Sequence, residues 1–332
     1  MKTRFIWIDW MKIIGMYLII SSHLWAPYNG YIYIFSVPVF FIISGFLSKK
    51  ESSNKLFYTK LFYNLIIPCI LYCILLLIWD SIFAIHNDTF TIKKIFHRTF
   101  NIILGYQGQN MPYGGLGVCW FIYTLCIVKI LSQYTSKILN LIISIIFILI
   151  SCYLCRKEIH LYNSWVNILL AYPCFMIGTI LQKFKYTFND WNNKMQMFLS
   201  IIICSFIIYI CYEFNGPPWM YDNHYGNYIT IFFLGAISGS LLLFTISKFL
   251  SSFKGKYIHI LSTGNILILG LHPIAMTILQ NIPLFYKPSW YMYLGAAIIM
   301  VLFYPIILFC NHRLPFLLGT YRIQPSQTNF TK

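Results

Sequence analysis

The feature that most constrains this chain is a succession of membrane-length apolar runs separated by short, lysine-bearing connectors. A spanning helix needs about 20 predominantly apolar residues, with about 17 as the short limit. Ten segments have that character, at approximately 6–25, 31–48, 62–83, 117–132, 138–154, 164–182, 196–212, 228–247, 262–280 and 291–310. With 59% hydrophobic and only 10% charged residues, the chain is too apolar for a soluble domain. The expected fold is all-α, a polytopic integral membrane helix bundle of about ten transmembrane helices.

Placing the N-terminus in the cytoplasm makes the connectors alternate between the two sides. Seventeen of the 24 lysines and arginines then lie on the cytoplasmic side, six outside, and Lys12 within the membrane. This is the positive-inside pattern, and it puts both termini in the cytoplasm. It also explains the net charge of +16 without a nucleic-acid partner, since the basic residues are spread over connectors instead of forming one patch. The partner implied is the lipid bilayer. No small-x-small cleavage site follows the first run, so it is expected to stay as an anchor. The organisation predicted is one membrane-embedded domain over 1–315 and a short cytoplasmic tail over 316–332. The ten cysteines are scattered through apolar segments without zinc-ligand spacing, so no metal is expected; Cys152-x-x-Cys155 reads as packing.

Residues 4–47 carry the most chemistry. Asp9, Lys12 and His23 interrupt the first run, and ionisable groups within a membrane usually face a protected cavity and carry function. Lys12 and His23 are eleven residues apart, three full turns plus roughly 20°, so they share one face of the helix about 16 Å apart. Asp9 is one turn before Lys12, where it can pair with it. In the second run, Ser44 and Gly45 are small enough to press this helix against the first near Lys12, as packing or as ligand contact.

Between the third and fourth runs, residues 84–116 hold a predicted amphipathic interfacial helix followed by "GQNMPYGGLG", which reads equally as turn chemistry or as close approach of a polar acceptor to backbone. Trp120 and Phe121 open the fourth run as an interfacial aromatic anchor. The outer loop 213–227 gathers Glu213, Asn215, Trp219, Asp222, Asn223 and His224, a mixture suited to carbohydrate, with solvated loop polarity as the simpler reading. In the ninth run, Pro273 frees the carbonyl of Leu269, and His272 beside it reads first as a hydrogen-bonded bundle histidine.

Taken together, Lys12-x10-His23, "VPVFFIISGFL" at 37–47, Trp120-Phe121 and "LGLHP" at 269–273 resemble the integral-membrane acyltransferase family 3, and within it the fucose 4-O-acetylase-like acetyltransferases. The resemblance covers essentially the whole chain. It implies a bacterial-type cytoplasmic (inner) membrane protein that transfers an acyl group, commonly acetyl, from acyl-coenzyme A to a hydroxyl of a glycan or lipid-linked glycan. Acetyl-CoA would then be a donor substrate, with no bound cofactor. By position, Lys12 and His23 match the motif's essential basic residue and histidine. The family's paired arginines before the third-span proline are replaced here, since Lys60 and Asn64 precede Pro68, and donor phosphate binding falls to Lys55 and Lys60.

The residues and the resemblance agree on a mechanism in which a neutral His23 takes the proton of the attacking hydroxyl and Lys12, with Asp9, serves the donor end, a covalent acyl-histidine being the alternative. Ser44 belongs with the donor group, Trp120, Trp219, Asp222 and Asn223 with the acceptor, and His272 is an accessory. The competing reading from another class is an exporter of a polysaccharide or lipid-linked sugar. Pro38 and Pro273 do not repeat between two halves as a transporter's broken helices often do.

Overall fold

The structure, a computed structural model, describes residues 4–107, 113–159 and 161–320. The described residues form helices and turns with no strand, only two isolated bridges, Tyr106 with Asn163 and Trp219 with His224. Each of the ten expected segments carries helix. The main ones are Ile6–His23, Pro38–Leu47, Trp120–Tyr134, Lys137–Arg156, Ile168–Leu181, Lys194–Asn215, Ile229–Phe249 and Tyr291–Arg313. Two more are composite: 54–86, and Lys256–Thr263 with Asn265–Gln280.

Among the described residues, seven helices are long and apolar enough to cross a membrane, and up to eight if the last pair, bent by 75°, counts as one span. With that pair counted, two of the ten expected segments fall outside this tally by length and composition. The first helix carries Asp9 and Lys12, and Ile168–Leu181 is only 14 residues long. The molecule is a polytopic helical membrane bundle. Its outer helices turn apolar side chains outward, as Ile138, Leu141, Ile145 and Leu149 do on Lys137–Arg156, because lipid tails solvate them.

At the centre, Pro38–Leu47 lies against Ile168–Leu181. A Cβ on Gly45 would overlap the Phe175 carbonyl, and one on Gly178 would overlap the Ile42 carbonyl, so the two backbones touch only because both positions are glycine. Ser44-Gly45 was expected to press against the first helix, but the close approach is to Ile168–Leu181. Contact with the first helix passes instead through Gly15, whose face meets the Phe40 ring.

Three breaks shape the interior. Pro68 lacks the N–H that would bond the Asn64 carbonyl, and the turn Phe62–Ile66 before it is wound as a π-helix. Gly264 separates the bent pair where a Cβ would strike Ile307. The third is Pro273. Non-helical backbone at membrane depth is tolerated where it is enclosed by protein or lines a cavity.

The amphipathic helix falls at Ile92–Ile103, capped by the Thr91 side chain, with Ile92, Phe96, Phe100 and Ile103 exposed along one face. Of the glycine-rich stretch after it, 108–112 lie outside the described residues. The packed chain runs past the expected boundary at 315: Leu318 is buried, and the Tyr72 hydroxyl donates to the Leu317 carbonyl.

Candidate functional site

A cavity of about 930 Å³ runs into the bundle. Lys12, Met16, Ile19 and His23 line it from the first helix, at offsets of four, seven and eleven, so the stripe foreseen from spacing is one wall. The second wall is Val37, Phe40, Ile43 and Ser44, and the third is Trp120, Phe121, Leu125, Lys129 and Ser132 on Trp120–Tyr134. Asn64 and Leu65 enter from the π-turn, and Ser262, Thr263, Asn265, Ile266, Leu269 and His272 from the broken pair. At one end the cavity reaches the surface between exposed Leu47, Lys49, Lys50 and Tyr186, a rim we call the lysine-rich mouth.

The two histidines meet toward the other end, with ring centroids 5.4 Å apart. His272 Nδ1 lies 2.9 Å from the Leu269 carbonyl, freed by Pro273, and 3.1 Å from that of Ile268. A carbonyl can only accept, so Nδ1 carries the hydrogen and Nε2 keeps its lone pair. Nε2 is buried and has no hydrogen-bond partner among the described residues. The kink therefore does more than place a histidine: it selects its tautomer and leaves a proton acceptor beside His23.

His23 is covered by aromatic rings. Tyr33 stands edge-on to it at 6.2 Å, Trp219 stacks on Tyr33 at 5.1 Å, and exposed Trp25 lies 5.8 Å from Trp219. Trp219 is thus tied to the histidine through one intervening ring.

Donor-side residues divide. Lys12 lines the cavity and its ammonium makes no hydrogen bond or ion pair among the described residues. Lys60 also lines it but is held by Glu51 at 2.7 Å. Ser44 is in the wall, whereas Lys55 is exposed and outside it. Asp9 does not pair with Lys12. Its Oδ2 accepts from Arg4 Nε at 2.6 Å and its Oδ1 from Ser262 Oγ at 2.6 Å, so it joins the first helix to the broken pair.

Acceptor-side residues divide as well. Trp120 is 6% exposed and inside the cavity, not an interfacial anchor. Asn223 is spent on loop structure: its Nδ2 donates to the Leu161 carbonyl and its Oδ1 accepts from the Tyr225 hydroxyl at 2.7 Å. Burial pushes the Tyr225 phenol up, keeping it a donor. Asp222 sits half-buried in the turn Met220–Asp222 and lines no part of the main cavity.

Sequence reasoning missed Lys129 and Asn265. Lys129 falls within the expected 117–132 run and lies in the cavity wall, 6.0 Å from the Phe175 ring centroid. The signal was present in the spacing Phe121, Leu125, Lys129. Asn265 and Asn64 both line the cavity, and the Oδ1 of each is buried without a partner among the described residues.

Such an enclosure, cationic at its mouth and with two neighbouring imidazoles at depth, that of His272 fixed in its tautomer, suits transfer between a large anionic donor and a hydroxyl. The family model described as an acyltransferase domain matches residues 5–316. No curated protein matches the chain, and no solved structure does.

Proposed function

The chain belongs to the acyltransferase-domain family, and we propose that this membrane acyltransferase moves an acetyl group from acetyl-coenzyme A to a hydroxyl of a cell-envelope glycan or its lipid-linked precursor. The observation that carries the reading is the single cavity joining Lys12 at its cationic part to His23, about 16 Å farther along the first helix, and to His272 beside it. The lysine-rich mouth faces the cytoplasm of a bacterial-type inner membrane, in keeping with the charge bias, and both chain ends lie on that side.

The phosphates of the donor rest among Lys49, Lys50, Lys60, Lys129 and Lys185 at and below the mouth, while Lys12 takes the anionic or carbonyl part that travels deeper. The pantetheine arm, rich in amides, finds Asn64, Ser44 and Asn265 along the wall. The acceptor hydroxyl arrives from the side of His23 where Tyr33, Trp219 and exposed Trp25 pack in series outside the cavity lining, Trp25 offering an aromatic face to a sugar ring. His23 accepts the hydroxyl proton as the oxygen attacks the thioester carbonyl. The C–S bond then breaks, and the departing sulfur takes a proton back as the free thiol.

His272 positions that base. Rings 5.4 Å apart can be joined by one N–H to nitrogen bond after a small rotation, and only His272 Nε2 has its lone pair committed to accepting. A His23 ring N–H directed at it leaves the other His23 nitrogen to receive the substrate proton.

Membranes containing the protein, supplied with acetyl-labelled coenzyme A, should transfer label to an envelope glycan detectable by mass spectrometry. Absence of labelled glycan with several acyl donors, together with loss of glycan export in a deletion strain, would overturn the proposal.

A further inference from the structure

A second group of reactive side chains lies outside the transfer cavity. Cys69 and Cys73 are four residues apart on Ile67–His86, so both leave the same face of that helix. Cys119, in the turn Gly117–Cys119 that opens the next spanning helix, meets them there. All three are buried, at 9%, 6% and 0% exposure, and their Sγ atoms lie within 4.8 Å of one another. They are free thiols. The spacing hid this set: one partner is a helical turn away and the other is some fifty residues along the chain, so no short metal motif could form.

We propose that Cys69, Cys73 and Cys119 bind one Cu(I) ion through all three sulfurs. A metal–sulfur bond of about 2.3 Å places the sulfurs of a trigonal site about 4 Å apart, so the cluster needs only a small contraction. Soft thiolate ligands select Cu(I). A structural Zn(II) site calls for a fourth ligand, and no further histidine, cysteine or carboxylate joins the cluster among the described residues. Arg98, paired with Asp80 on the helix of Cys69 and Cys73, is within electrostatic reach of Cys73 and offsets negative charge brought by the thiolates.

Such a site has a structural consequence. Cys119 immediately precedes Trp120, a wall residue of the transfer cavity, so the ion would pin the 54–86 helix to the start of that wall. Binding to the folded state alone raises thermal stability by mass action.

The test uses purified full-length protein, without oxygen, with Cu(I) supplied from a chromogenic chelator that competes for it. The expected result is one Cu(I) retained per chain, weakened at least tenfold in Cys73→Ser and in Cys119→Ser and unchanged in Cys174→Ser. Copper-edge X-ray absorption on the unmodified protein should count three sulfur neighbours, a readout that needs no variant to fold. No saturable uptake, a shell of fewer than three sulfurs, or undiminished affinity in both cluster variants would overturn the proposal. None of these outcomes depends on acyl transfer.

Discussion

Replacing Lys12 by methionine should make the protein more stable and a poorer enzyme. Asp9, the natural partner one turn away, is already engaged by Arg4 and Ser262 at 2.6 Å each, which leaves the Lys12 ammonium unpaired among the described residues. A cation held partly out of water without a partner costs the folded state free energy. The cavity opens to the surface, so water relieves part of that cost, and about 1 kcal/mol is a reasonable remainder at the low end of the range for unpaired polar groups. Methionine has a similar length and no charge, so Lys12→Met should recover that amount.

The same change removes a charged hydrogen bond to the donor. Such bonds contribute about 1.5–3 kcal/mol, which corresponds to a loss of roughly 10- to 150-fold in kcat/KM for acetyl-coenzyme A. Thermal unfolding in lipid nanodiscs and steady-state transfer kinetics would be measured on the same preparation. A Lys12→Met protein that melts earlier while keeping its kcat/KM would refute the reasoning, because it would make Lys12 a structural ion-pair partner of Asp9.

Gly178→Ala should cost about 1–3 kcal/mol of stability, since its methyl group has to displace the Ile42 carbonyl in a packed interior; unfolding at unchanged temperature would contradict the helix contact. Trp219→Ala should raise the acceptor KM and leave donor binding alone, read by varying each substrate in turn, and equal loss at both would place Trp219 elsewhere. Asn223→Ala, by contrast, should lower thermal stability by about 1–3 kcal/mol through the Leu161 carbonyl it leaves unpartnered, the Tyr225 phenol keeping Asn167 Oδ1 at 3.1 Å, with the remaining folded enzyme showing a normal acceptor KM.

The fold was legible where lipid imposes its own rule. Apolar length alone located all ten helical segments, and the eleven-residue interval between Lys12 and His23 placed them on one cavity wall. The His272 environment was half legible: Pro273 announced a freed carbonyl at Leu269, but the sequence does not say that the imidazole itself would take it, or that His23 would lie 5.4 Å away. Contacts between distant segments were closed to sequence reasoning. Asp9 found Ser262 instead of Lys12, Gly45 found Phe175 instead of the first helix, and three cysteines converged without a motif. Asn223 misled because a short polar side chain in an outer loop serves a ligand or the loop's own backbone equally well, and only the partners decide.

The central claim is that His23 accepts the proton of the attacking hydroxyl inside this cavity, and the most direct measurement is acetyl transfer by His23→Ala in protein confirmed to be folded and to bind acetyl-coenzyme A. The account predicts intact donor binding with transfer reduced on the order of 10² or more, the usual contribution of a general base. A His23→Ala enzyme that binds donor and transfers acetyl at the unmodified rate would contradict it.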